Sequence, residues 1–103
     1  MAAPFVIINL DKPRQLRLSM KAMIEFEKTN KIKLMDIADN MSIEICAKLA
    51  YTMLKQEDSE LTLDKTIDLL DEHMTAGEAI EKINEAMTAA FPQSKNVEQP
   101  AAQ

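Results

Sequence analysis

The first apolar stretch, residues 5–10 (FVIINL), is dominated by β-branched and aromatic side chains and stops at Asp11-Lys12-Pro13. Proline fixes φ and lacks an N–H, so the chain is expected to turn there. Beyond it, Arg14-Gln15-Leu16-Arg17-Leu18 alternates polar and apolar positions. Period two is the signature of a half-buried strand. The pattern predicts a β-hairpin over 5–18, which must pack on helices or on another copy because a lone hairpin is marginal in water. From residue 19 the period lengthens. Ser19 is placed to cap a helix over 20–29 whose apolar face would hold Met20, Met23 and Ile24. Residues 32–40 predict at most one or two short helical turns.

Ser42 opens the clearest helix, over 42–56, with Ile43, Cys46, Ala47, Ala50, Met53 and Leu54 at three- and four-residue spacing. Ile45, Leu49 and Tyr51 widen its apolar arc, so it is expected to be central and mostly buried. Thr62 caps a predicted helix over 62–73 that would turn Leu63, Ile67, Leu70 and Met74 inward. Thr75-Ala76-Gly77-Glu78 fits a capping box, in which the Thr hydroxyl and the Glu carboxylate each satisfy a free N–H of the first turn. The helix behind it, over 76–90, carries Ile80, Ile83, Ala86, Met87 and Ala90. From residue 92 the composition shifts to Pro, Gln, Ala, Ser and Asn, the signature of a disordered tail over 92–103. The expected fold class is α+β, mostly α: a short N-terminal hairpin, about four helices and a flexible tail, with residues 1–91 forming a single small domain.

Composition narrows the chemistry. A chain of 103 residues with 47% hydrophobic content has room for one core and no separate substrate domain. With one Gly, neither GxGxxG nor GxxxxGK[ST] can be written. One Cys and one His exclude an internal disulfide and argue against a Cys/His zinc site. No segment reaches the ~18 apolar residues of a membrane helix, and no basic residue precedes the first apolar run as in a signal peptide. The expectation is therefore a cytoplasmic protein without a cofactor. The run Asp58-Ser59-Glu60-Leu61-Thr62-Leu63-Asp64 has calcium-loop flavour, but Leu63 and Leu69 stand where Gly and a bidentate Glu are required. Cys46 falls on an apolar helical face, and His73 falls at a helix end. Asp64, Asp68, Asp71 and Glu72 read as a solvated acidic face or a contact for something basic.

The net charge of −5 is unevenly placed. Residues 1–35 hold seven basic side chains against three acidic, +4, whereas residues 36–91 hold four against thirteen, −9. Either the two faces are simply solvated, or the polarity favours contacts with further copies or with a partner of mixed charge. The short basic part, with only Phe5 and Phe26 for stacking, argues against nucleic acid. Methionine is abundant, with eight in the chain, and seven of them (20, 23, 35, 41, 53, 74 and 87) lie in the helical region. Met fills cores, and it also lines surfaces that accept varied apolar partners. Met20, Met23, Met53, Leu63, Ile67, Leu70 and Met74 are the candidate partner-binding residues. Phe5, Ile7, Arg14 and Arg17 are the candidate self-association residues, at an exposed hairpin edge.

Three stretches together resemble the tail assembly chaperones of long-tailed bacteriophages of Gram-positive hosts: INLDKPRQLRLSMKAMIEFEK (8–28), IEICAKLAYTMLKQED (43–58) and ELTLDKTIDLLDE (60–72). Lys12, Arg14, Leu16, Ala22, Glu25, Leu54, Glu57, Asp58, Leu61, Thr62, Leu69 and Leu70 stand where the family's pattern puts them, over residues 6–91. Pro13 and the use of Met in place of Leu depart from it. The resemblance implies a non-enzymatic protein of the host cytoplasm, absent from the finished virion. Such a protein binds the helical, aggregation-prone tape-measure protein, recruits tail-tube subunits and forms homo-oligomers. A longer form made by ribosomal frameshifting is common in that family, and the tail after Phe91 is where such an extension would be attached. A small regulatory adaptor or antitoxin-like protein that binds one folded partner is the alternative.

Overall fold

The computed structural model describes residues 5–90; Phe91 and the expected tail over 92–103 lie outside the described residues. Strands β1 (Val6–Asn9) and β2 (Pro13–Leu16) pair antiparallel, with Val6 opposite Leu16 and Ile8 opposite Arg14. Directly opposed residues share a face of the ribbon. One face therefore carries Ile8 and Leu16, both fully buried, and the other carries Ile7 and Gln15, with Ile7 exposed. Pro13 occupies the first position of β2, where a missing N–H costs least.

Five helices follow: α1 (Met20–Asn30), α2 (Leu34–Asn40), α3 (Ile43–Lys55), α4 (Leu63–His73) and α5 (Ala76–Ala90). The architecture is α+β and mostly α, as the hydrophobic pattern predicts. The expected caps form. The hydroxyls of Ser19, Ser42 and Thr62 each accept a hydrogen bond, at 3.1 Å, from the backbone N–H of Ala22, Ile45 and Lys65 respectively. At the start of α5 the Thr75 hydroxyl accepts from Glu78 N–H at 3.1 Å, while Glu78 accepts from Thr75 N–H at 2.9 Å. α1 ends on Lys31 in the left-handed conformation, φ 57°.

α2 is the element that periodicity resolves least. Its first N–H, on Leu34, has no capping side chain from Lys33 and instead donates to the Glu27 carboxylate at 2.9 Å. A carboxylate seven residues back in sequence therefore supplies the cap, so the start of α2 depends on α1 being in place.

α3 is the hub. It packs against α1, α4, α5 and β2, while β1 rests on α5. Cys46, Leu49, Ala50, Thr52, Met53 and Leu54 are buried along it, with Leu49 and Ala50 fully excluded from solvent. Two buried hydroxyls are satisfied within their own helices: Thr52 donates to Lys48 C=O at 2.8 Å and Thr66 to Thr62 C=O at 2.9 Å. No buried side-chain polar atom among the described residues lacks a partner.

Two inward faces differ from those predicted. α1 buries Ala22 and Phe26, and leaves Met20 and Ile24 outside at 74% and 55% exposure. α4 buries Thr66, Leu69 and Leu70, and leaves Ile67 42% exposed. Both helices carry two overlapping apolar stripes, and the one turned inward holds Phe26 in α1 and the adjacent Leu69-Leu70 pair in α4. Leu49→Ala is expected to destabilise the fold by about 2–5 kcal/mol, the range for a leucine removed from a packed core. Urea unfolding followed by circular dichroism measures the loss.

Candidate functional site

The amino end of α3, the outer side of α4 and the start of α5 do not close completely on one another. Between them lies an apolar cleft of ≈130 Å³, lined by Ile43, Ala47, Ile67, Leu70, Met74 and Ile80 among others. Cys46 forms part of its floor and is 3% exposed. Ile43, at the first position of α3, extends past the core and is 58% exposed. Asp71 is the one ionisable side chain with a formal charge at neutral pH among the lining residues. Asp64 and Asp68 precede it at i, i+4, i+7 spacing, which sets an exposed acidic stripe along α4 that reaches the cleft at Asp71.

A second apolar surface lies on α1. Met20 and Ile24, one turn apart, are exposed and line a shallow depression together with Lys21, Glu25, Lys28 and Thr29. The two carboxylates of α1 are engaged inside the protomer. Glu25 accepts from Lys55 Nζ at 2.6 Å and from Gln56 Nε2 at 3.1 Å, tying α1 to the end of α3. Glu27 caps α2. The Lys55 hydrogen bond, then that of Gln56, hold the Glu25 carboxyl below the ordinary glutamate range, and Glu25 in turn raises Lys55.

Arg14 is a correction to the expected self-association set. It shares the inward face of the hairpin with Ile8 and Leu16, and its side chain is only 9% exposed. Its guanidinium donates to both Asp11 oxygens, at 2.9 and 3.0 Å, and to Asp58 at 3.2 Å. Asp58 also accepts from Glu60 N–H at 3.3 Å within the α3–α4 loop. Arg14 thereby holds the hairpin turn to that loop and lowers the Asp11 pKa, chiefly through their hydrogen bond. Phe5, Ile7 and Arg17 are exposed as expected.

Of the seven candidate partner residues, the structure brings Ile67, Leu70 and Met74 together in the cleft. Leu70 lies at its base, 9% exposed. Met53 is a correction: at 1% exposure it is core, held there by the central position of α3. Met23 is half-buried against the core, Leu63 is half-buried at the first turn of α4, and Met20 stands alone on the other surface. Ile24 and Ile43 also belong to these two surfaces, although the helical pattern sets them with the apolar faces of α1 and α3, and the half-buried Ile80 of α5 lines the cleft beside them. The signal that identifies them is excess. α1 and α3 each carry more apolar positions than one buried face can absorb.

Asp64, Asp68, Asp71, Glu72 and His73 are all exposed. Among the described residues no group of three or more His, Cys, Asp or Glu is placed to hold a metal ion. No described helix is long and apolar enough to cross a membrane. Burial pushes the Cys46 thiol up to about 11, so it is protonated at neutral pH and unsuited to nucleophilic attack. The chain matches no protein-family model, no curated protein and no solved structure.

Two outcomes follow from these environments. Cys46 in the native protein is expected to react with an aromatic disulfide reagent at least tenfold more slowly than in urea, as read by absorbance. For Glu25–Lys55, the folded-state carboxyl pKa is depressed and the ammonium pKa raised. The bridge's stabilisation is therefore present near neutrality, fades as pH falls through the depressed Glu25 value, and fades again as pH rises through the raised Lys55 value. A Glu25→Gln/Lys55→Met double-mutant cycle at pH 7 should give about 0.5–1 kcal/mol, the scale of a partly exposed pair, and close to nothing at pH 2.

Proposed function

We propose that this protein is a tail assembly chaperone of a long-tailed bacteriophage, a non-enzymatic scaffold that binds the tape-measure protein in the host cytoplasm and helps recruit tail-tube subunits around it. The observation that carries the proposal is the apolar surface left uncovered on four successive helices: Met20 and Ile24 on α1, Met35 on α2 at 89% exposure, Ile43 on α3 and Ile67 on α4. A fold with a well-filled core does not need to leave such side chains in water. A protein that shields another chain's apolar helices does, because helix-in-groove recognition uses aliphatic anchors set one turn apart.

The residues behind the family resemblance support the reading in a different way. Arg14 and Asp58 clamp the hairpin to the α3–α4 loop, and Glu25 fastens α1 to α3. Thr62 caps α4, and Leu16, Ala22, Leu54, Leu61, Leu69 and Leu70 are buried. Most of the shared pattern is therefore scaffold, while the exposed anchors stand outside it. Such a division suits a family whose members keep one frame and fit different tape-measure sequences.

Co-expression with the tape-measure protein encoded beside it provides the test. The tape-measure protein is expected to shift from the insoluble to the soluble fraction and to co-elute with this chain in size-exclusion chromatography. The combined Met20→Asp/Met35→Asp variant is expected to lose most of that effect while retaining its helical circular dichroism. Unchanged tape-measure solubility with no joint peak would overturn the reading.

A further inference from the structure

α1, α4 and α5 each pack against α3, and α2 takes no part in that main packing. Its buried apolar anchors among the described side chains are Leu34 and Ile37, one turn apart, while Met35 between them points to solvent. The start of α2 is held from outside, where Leu34 N–H donates to the Glu27 carboxylate. Glu27 serves twice, because its backbone C=O also accepts from Lys31 N–H at 2.9 Å and closes the turn between the two helices. That turn puts Lys31 in the left-handed region, which a residue with a Cβ adopts only at a cost. The neighbours of α2, by contrast, end on interactions of their own. Asn30 Nδ2 donates to Phe26 C=O within α1, and Ser42 caps α3 through Ile45 N–H. Met41 and Ser42 are extended, so no continuous helix joins α2 to α3. We propose that α2 is a releasable strap, hinged at Lys31 and at Met41–Ser42, which detaches as a unit while the rest of the fold stays in place and uncovers a latent apolar site.

Helix length, anchoring and chain direction each favour such a strap. Seven residues are too few for a helix to persist alone in water, so release and melting are one event. Hinges of this kind are element-terminal residues that absorb a large change in φ and ψ, and both ends of α2 have them. Release brings Leu34 and Ile37 into water beside the exposed Met35 and the half-buried Ile32 and Met41. It also vacates the places that Leu34 and Ile37 fill in the core. The open state therefore presents a short apolar segment next to an apolar depression, and the seated helix hides both. The Glu27 carboxylate sets the balance, since its hydrogen bond to Leu34 N–H is made only when α2 is seated on the end of α1. This device does not rest on the chaperone reading, and no partner takes part in its test.

The test is native-state hydrogen exchange of the full chain, read by mass spectrometry in water and in dilute urea. The α2 amides are expected to exchange about a hundredfold faster than those of α3, and to respond little to urea that speeds exchange in α3. Glu27→Ala removes the cap but keeps the backbone carbonyl and places a good helix former in α1. It should speed exchange in α2 about tenfold and leave α3 and α5 unchanged. Thr62→Ala removes a cap of the same kind from α4, and should leave exchange in α2 as it is. Glu27→Ala is also expected to raise the fluorescence of anilinonaphthalene sulfonate, a dye for exposed apolar surface, by about twofold or more with helical circular dichroism retained. Exchange of α2 at the rate of α3, equal acceleration of all helices by Glu27→Ala, acceleration of α2 by Thr62→Ala, or no gain in dye fluorescence overturns the proposal.

Discussion

Burial of α3 is the constraint from which the rest of the fold follows. A helix of 13 residues with six of them buried cannot exist in water by itself, and every side it presents has to be covered by something else. α1, α4, α5 and β2 provide that cover, and the hairpin reaches the helical layer through β2 on α3 and β1 on α5. The polar interactions are arranged around this burial and do not replace it. Glu25 with Lys55 and Gln56 fastens one end of α3 to α1, and Arg14 with Asp58 fastens the loop that leaves α3 to the hairpin turn. Both sit where the core thins, at element ends where backbone groups would otherwise meet water without direction.

How far the sequence announces this structure depends on the range over which each signal acts. Caps are local. Ser19, Ser42, Thr62 and the Thr75–Glu78 box each involve residues no more than three apart, and all are legible. The hairpin is legible too, because Pro13 and a period-two pattern operate within a dozen residues. α2 is not. Its cap comes from Glu27 across a turn that needs Lys31 in a left-handed conformation, and neither condition leaves a mark on a helical wheel.

Side-chain facing is set by longer-range contacts still. In α4 the set Leu63-Ile67-Leu70-Met74 is a better apolar stripe than Thr66-Leu69-Leu70, yet the second is buried. Hydrophobic periodicity shows that a helix has an inward face, but the neighbour decides which of two overlapping stripes becomes that face. Arg14 shows the same limit in a strand. Its period-two partner Leu16 points inward, so Arg14 does too, and the carboxylates of Asp11 in the hairpin turn and of Asp58 in the α3–α4 loop make the position tolerable for a charge. Of the surfaces, the sequence carries the ingredients, abundant Met and Ile with segregated charge, but not their grouping into one apolar patch on α1 and one cleft between α3, α4 and α5.

The buried threonine of α4 has a consequence for the cleft beside it. Thr66 is satisfied by Thr62 C=O, and Thr62 caps Lys65 N–H, so both hydroxyls close within the first turn of the helix and reach no other element. Leu69 and Leu70, by contrast, seat the helix on its neighbours by dispersion and exclusion of water, which carry no directional preference. The gap between α4 and the helices beside it is thus governed by side-chain volume. A methyl group more or less at Leu70, which lines the cleft, would reset its width, and that makes the cleft a dimension that mutation can tune by small steps without touching a cap or an ion pair of the frame.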